Sequence, residues 1–320
     1  METRHATNDL EQAYRAALIA GIAQSSRRAY ERDVRYFWNW AQEKLGLEPV
    51  YPVAVDTLLH FILDHRRAAG GKHLKITTLR RYLSSLSIAH AEHSCPSPTR
   101  DERVKLLLRR LRQAEAGEPP EKKSAITADL LNRLVDTCDE SLRGIRDRAI
   151  LLVGFASGGR RRSELASLQV TDLQRADGGY LLRIRTNKTD QQGKGHLVPV
   201  LGPAAAALSR WLMAAGIRDG AIFRSIKPDG RLCQNICGRT INRLVKTHSQ
   251  LAGLDPALYG AHSLRSGYLT EAGKAGTQPW QAMALSLHRS EKVALGYYQQ
   301  GAILQNPAAH LLAGENQEPI

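Results

Sequence analysis

The chain has 320 residues, 42% of them hydrophobic, and a formal net charge of +14. That length sets a prior of two domains, and that charge suits a nucleic acid or an anionic membrane surface far better than a small acidic substrate. No run of about eighteen apolar residues occurs, so no membrane-spanning helix is expected, and no apolar leader is visible, so secretion is not expected either.

The four cysteines, Cys95, Cys138, Cys233 and Cys237, are too few for a disulfide framework and suit a reducing compartment. Cys233 and Cys237 lie four apart with His248 downstream, but no second close ligand pair accompanies them. They read as buried or half-buried helix cysteines rather than a zinc site. His90, His93 and Cys95 are read the same way.

Thr7 or Asn8 caps a first helix that runs through Ile19, and Gly21 breaks it. Ser25 or Ser26 starts a second, in which Tyr30, Val34, Phe37, Trp38 and Ala41 recur at helical spacing. Arg27, Arg28, Arg32 and Arg35 take its other face. Pro49 and Pro52 punctuate the next loop. Val55, Leu58, Leu59 and Ile62 predict a third helix, ending near Gly70-Gly71. Leu79, Tyr82, Leu83, Leu86 and Ile88 predict a fourth, from Thr77 or Thr78 through His90. Val104, Leu107, Leu108 and Leu111 predict a fifth, with Arg103, Lys105, Arg109, Arg110 and Arg112 on its polar side. Residues 8–115 thus read as an all-helical domain with basic outer faces. Long basic side chains often serve only as solvated surface, but their return on two helices of so positive a chain favours contact with nucleic acid.

Residues 116–124 have no apolar anchor and are stiffened by Pro119-Pro120, so the domain boundary is placed there. Thr127 caps a helix containing Leu130, Leu131, Leu134 and Val135. Arg146 to Phe155 reads as a core helix, ended by Gly158 and Gly159. A new helix begins near Arg162-Ser163-Glu164. From Tyr180 to Val200 the period falls to two, predicting a small antiparallel sheet and a basic hairpin with Lys188 toward its tip. Pro203 starts a helix to Ala214; Ile236, Ile241, Leu244 and Val245 predict another. Ala308 to Leu312 form a short apolar patch.

The chemistry gathers in Tyr259 to Gln300. His262 and Arg265, three apart in H-S-L-R, share a helix face. His288 and Tyr297 are nine apart and need a bend between them. Arg160, Arg161 and Arg162 cluster at a helix start, where a docked phosphate would meet amide and guanidinium donors together. Glu164 is placed to orient one of these arginines. Two arginines for a phosphate, a lysine and histidines for protons, and a tyrosine that can attack suit phosphodiester cleavage without metal.

With these boxes the sequence resembles the tyrosine recombinases of the phage-integrase family, and among them the Cre-like members. The family's arginine three residues before the glutamate of R-x-S-E-L falls on Arg161, and its hairpin lysine on Lys188 in T-N-K-T-D. Its H-x-L-R box falls on His262 and Arg265, its later His-or-Trp on His288, and its nucleophile on Tyr297, with Tyr298 adjacent. The family usually has Gly before the later histidine, whereas this chain has Leu287.

The resemblance implies a mainly α fold with a small antiparallel β-sheet in the catalytic domain. Residues 8–115 would be a core-DNA-binding domain and 125–312 the catalytic domain with its tail. It also implies a site-specific recombinase that cleaves and rejoins double-stranded DNA through a 3′-phosphotyrosyl link and a Holliday junction, without cofactor or metal. The partners would be DNA and a tetramer of the chain on two sites, in the cytoplasm alongside the nucleoid; an accessory DNA-binding protein is left open. Arg27, Arg28, Arg32, Arg35, Arg109, Arg110, Arg160 and Arg162 are the DNA-contact candidates. DNA relaxation by the same chemistry, or DNA binding without catalysis, stay as alternatives.

Overall fold

The computed structural model describes residues 17, 20, 22, 24–67, 73–115, 123–185, 195–288 and 290–302. The chain divides into two compact units, Met1–Pro120 and Glu121–Ile320. Of the first expected helix, only Ala17 lies among the described residues; it is helical, as is Ala20 just beyond the expected end.

The first unit holds four α-helices among its described residues: α1 (Gln24–Leu45), α2 (Val55–Arg67), α3 (Ile76–Glu92) and α4 (Glu102–Ala114). Their apolar faces meet in one core around Phe37, Trp38, Phe61, Leu79, Leu86 and Val104. Asp101 caps α4 by accepting the Arg103 N–H at 2.8 Å, satisfying one of the donors a helix start leaves open. His90 is buried and used locally, accepting the Val53 N–H at 3.0 Å.

The second unit begins with α5 (Ala128–Asp136), α6 (Leu142–Ala156) and α7 (Arg162–Ser167). A sheet of β1 (Leu173–Ala176), β2 (Gly179–Ile184) and β3 (His196–Leu201) follows, antiparallel in the order β1-β2-β3. The unit continues with α8 (Gly202–Ala214), α9 (Gly238–Leu251), α10 (Ala261–Lys274), α11 (Pro279–Ser286) and α12 (Glu291–Ala302). The fold is therefore mainly helical with one small antiparallel sheet. Period-two patterning works as expected: Leu182, Ile184, Val198 and Val200 are buried on one face, while Arg183 and Leu197 are exposed on the other. Tyr180 pairs Val200 and Leu182 pairs Val198 across the ladder. The buried face joins α6 and α8 in the main core, where Trp211 donates its indole N–H to the Ile222 carbonyl at 2.8 Å. Among the described residues, no helix is long and apolar enough to cross a membrane.

Three local readings change. The core helix α6 starts a turn before Arg146, because the Ser141 hydroxyl accepts the Gly144 N–H at 3.1 Å and caps it. Ile236 is buried but precedes α9, which begins at Gly238. Cys233 is half-buried in a loop and Cys237 is exposed at the N-cap of α9, so neither is a helix cysteine.

Candidate active site

The site is built where α6 runs out. Gly158 and Gly159 follow it with φ of 93° and 70°, a region L side chains rarely adopt. Both also pass too close to neighbours for any side chain. A Cβ on Gly158 would come 2.3 Å from the Leu285 carbonyl oxygen, and one on Gly159 would come 2.4 Å from the Arg265 Cα. The turn is thus pressed between α10 and α11, which brings Arg161, at the N-cap of α7, to the same place as Arg265 of α10.

Glu164, almost fully buried, receives the Arg161 guanidinium at 2.5 Å and the Arg161 backbone N–H at 3.1 Å. This fixes Arg161 by a charge-assisted pair. Arg265 is 2% exposed. Its NH1 donates to the Gly159 carbonyl at 3.0 Å and its Nε to His288 Nε2 at 3.1 Å. Its NH2 is buried with no hydrogen-bond partner among the described residues. Burial, then the nearby Arg161 and Arg160, lowers the Arg265 pKa to about 9. Like charges packed this closely attract an anion.

His288 lies in the break between α11 and α12. Because Nε2 accepts from Arg265, the ring proton sits on Nδ1, which faces the Ser286 hydroxyl at 2.8 Å. Burial first, then Arg265 and Arg161, pushes its pKa down to about 3. Both ring nitrogens of His288 are thus engaged, Nε2 by Arg265 and Nδ1 by Ser286. His262 is exposed overall, yet desolvation of its ring, followed by Arg265 and Arg161, lowers its pKa below 6.5. The His262 ring centroid stands 6.4 Å from that of Tyr297.

Tyr297 is half-buried on α12, against a small cluster of Leu269, Ala272, Ala282 and Ala294. Its neighbour Tyr298 donates its hydroxyl to the Thr277 carbonyl at 2.5 Å. That bond anchors α12 to the loop between α10 and α11, and it engages the competing phenol.

Arg161, Glu164, His262, Arg265, His288 and Tyr297 are therefore brought together on one unit. Lys188 lies outside the described residues, as do 303–312 of the tail. Arg162 is exposed on the first turn of α7. Arg27, Arg28, Arg32, Arg35, Arg109 and Arg110 are exposed on α1 and α4 of the other unit. Arg160 is a correction: it is 0% exposed, so it offers no surface to DNA. Ser286 and the Gly159 carbonyl, which orient His288 and Arg265, carried no signal in the sequence beyond the Gly-Gly pair. No group of three or more His, Cys, Asp or Glu among the described residues is arranged to hold a metal ion.

Residues 124–302 match the profile of the phage integrase family, and residues 12–91 that of the phage integrase N-terminal SAM-like domain. An integrase/recombinase XerD homolog of Selenomonas ruminantium is 32% identical over 297 residues, spanning 89% of this chain and 84% of the relative. Recombinase Cre of Escherichia phage P1 is 22% identical over 280 residues, spanning 81% and 80%. The narrower likeness to Cre is thus weaker than that to a Xer-type relative, and placement stops at the family. The solved Tn1549 transposon integrase, in complex with transposon right end DNA, shares the fold with a TM-score of 0.65 at 15% identity, over 95% of this chain and 98% of that one.

Proposed function

The chain belongs to the phage integrase family of tyrosine recombinases, which cleave and rejoin DNA through a tyrosine, and from that premise we propose that Tyr297 is the nucleophile of a site-specific recombinase. The observation that carries this reading is the buried, unpartnered NH2 of Arg265, set among other cations beside the His262–Tyr297 pair. A buried charged donor without an acceptor is costly, and a docked phosphate removes that cost.

Tyr297 Oη attacks the phosphorus in line, forming a 3′-phosphotyrosyl bond as the bond to the 5′ oxygen breaks. The phenol proton passes to His262, whose lowered pKa leaves it a free base near neutrality. Lys188 supplies the proton to the departing 5′ oxygen. Arg161 and Arg265 grip the non-bridging oxygens, where charge develops. Glu164 and His288 hold those two arginines in place. The covalent link conserves the bond energy, and a 5′-hydroxyl from a second strand reverses the step. Four protomers on two duplex sites exchange strands in pairs through a Holliday junction.

The test is a suicide substrate, nicked near the scissile phosphate and tiled from DNA flanking the gene, read as a covalent band on a denaturing gel. Tyr297→Phe abolishes the band and Tyr298→Phe keeps it. A band lost only with Tyr298→Phe moves the nucleophile by one residue. Specific binding to a fragment without any covalent band in the wild type overturns the catalytic reading.

A further inference from the structure

We propose that Arg160 is a positioning residue of this reaction, clamping the last turn of α11 to the loop that carries Arg161 and so setting where His288 meets Arg265. The inference rests on the reading of the site given above.

A guanidinium is rarely buried without compensation, yet Arg160 is fully buried. Its backbone is held first: the Arg160 N–H donates to the Gly154 carbonyl at 2.7 Å, at the end of α6. Its NH2 then donates to the Gly158 carbonyl at 3.3 Å and, at close range, to the Leu285 carbonyl. Leu285 lies in the final turn of α11, where carbonyls have no partner within the helix and the helix dipole is negative. Arg160 supplies both the missing donor and the matching charge. On the other side its NH1 stands 3.6 Å from Glu164, the carboxylate that fixes Arg161.

The contacts form a closed path. Arg160 holds the Leu285 carbonyl; one residue on, the Ser286 hydroxyl faces His288 Nδ1; His288 Nε2 accepts from Arg265. Arg265 returns to the Gly159 carbonyl, the residue next to Arg160. Gly158 belongs to the same device, since any Cβ there would drive the Leu285 carbonyl away. Arg160 touches no reacting atom. It fixes the distance between two segments that each carry an anion-gripping arginine or its holder. A shift of about 1 Å in such a constellation costs a rate factor on the order of 100.

The experiment compares wild type, Arg160→Met and Arg160→Lys in single-turnover covalent adduct formation at saturating protein. DNA affinity by fluorescence anisotropy and the long-range 1H–15N spectrum of His288 in the DNA-free chain are read beside it. Arg160→Met is expected to slow adduct formation about 100-fold, to bind DNA within about threefold of wild type, and to lose the single Nδ1–H tautomer of His288. Arg160→Lys, which keeps a charged donor for the Leu285 carbonyl, is expected to restore the tautomer and much of the rate. The proposal is overturned if Arg160→Met cleaves like wild type, or if rate and affinity fall together. Should Arg160→Met not fold, the lysine variant decides: a wild-type rate with a scrambled His288 tautomer sinks the clamp. If the wild type itself binds DNA but forms no adduct, the proposed function fails, while the His288 spectra still report on the clamp.

Discussion

At the scale of single residues, the site keeps a histidine neutral beside the arginine proposed to grip a phosphate. His288 can accept from Arg265 only while unprotonated, and burial plus two arginines hold its pKa at about 3 against an ordinary 6.5. In the unfolded chain the same ring takes a proton below that ordinary value. The unfolded state therefore binds more protons between the two pKa values, and stability falls as the pH drops through that window. Above pH 6.5 the contribution is fully present; toward pH 3 it is gone. We expect the melting temperature of the wild type to fall more steeply between pH 6.5 and 4 than that of His288→Gln, with the curves parallel above neutrality. Identical slopes would mean that the neutral His288–Arg265 contact does not persist in solution. The residue types of this site were legible through the resemblance that R-x-S-E-L and H-x-L-R carry, and spacing alone placed only His262 and Arg265 on one helix face. What the sequence could not reveal is which of three consecutive arginines turns inward. Arg160, Arg161 and Arg162 are respectively buried, half-buried and exposed. The choice is made by Gly158, Gly159 and a carbonyl 125 residues away.

At the scale of elements, the break after α11 that carries His288 opens on a residue poorly suited to it. Leu287 caps α11 in the left-handed region, with φ of 55° and ψ of 42°, its N–H bonded to the Met283 carbonyl. A leucine there sacrifices roughly 1 kcal/mol of backbone energy, and its half-buried side chain, packed on the main core, offsets the cost. Leu287→Gly removes the strain and the packing together, so its effect on unfolding free energy should stay within about 1 kcal/mol. Leu287→Val keeps most of the apolar surface but places a β-branched residue where the backbone resists it most, and should cost about 2 kcal/mol. Chemical denaturation of both variants checks the order; a valine variant as stable as the glycine one would show that backbone conformation is not the controlling cost. The helices themselves were legible because their apolar residues recur at helical spacing, and β2 and β3 because theirs alternate. Strand β1 was not singled out: four residues, L-Q-R-A, give no period to read. Its place is set by pairing with β2. Cys233 and Cys237 were misplaced for a related reason, since apolar Ile236 resembled the first turn of the helix that follows it.

At the scale of the whole molecule, two cores formed by different parts of the chain imply two cooperative units. One gathers Phe37, Leu58, Phe61 and Leu79; the other gathers Ile126, Ile150, Trp211 and Leu264. Calorimetry of the full chain should therefore resolve two transitions, and each should answer to its own substitutions. Gly267 is the tightest glycine among the described residues. It lies inside α10, two residues after Arg265, and a Cβ there would meet the Ile126 carbonyl oxygen at 1.8 Å. The obstacle is backbone, and it cannot swing aside: the Ile126 N–H is bonded to the Ser263 carbonyl at 2.9 Å and its side chain is fully buried. Gly267→Ala must push the segment from Ser124 to Ile126 off the helix that presents His262 and Arg265. Overpacking against a fixed backbone costs about 3 kcal/mol, which lowers one transition by roughly 6–12 °C for a unit of this size. Leu58→Ala, in the other core, should lower the other transition through a cavity cost of about 2–5 kcal/mol. If either substitution moves both transitions together, or if only one transition exists, the two units fold as one, and damage to the basic helices would reach Arg161 and Arg265 directly.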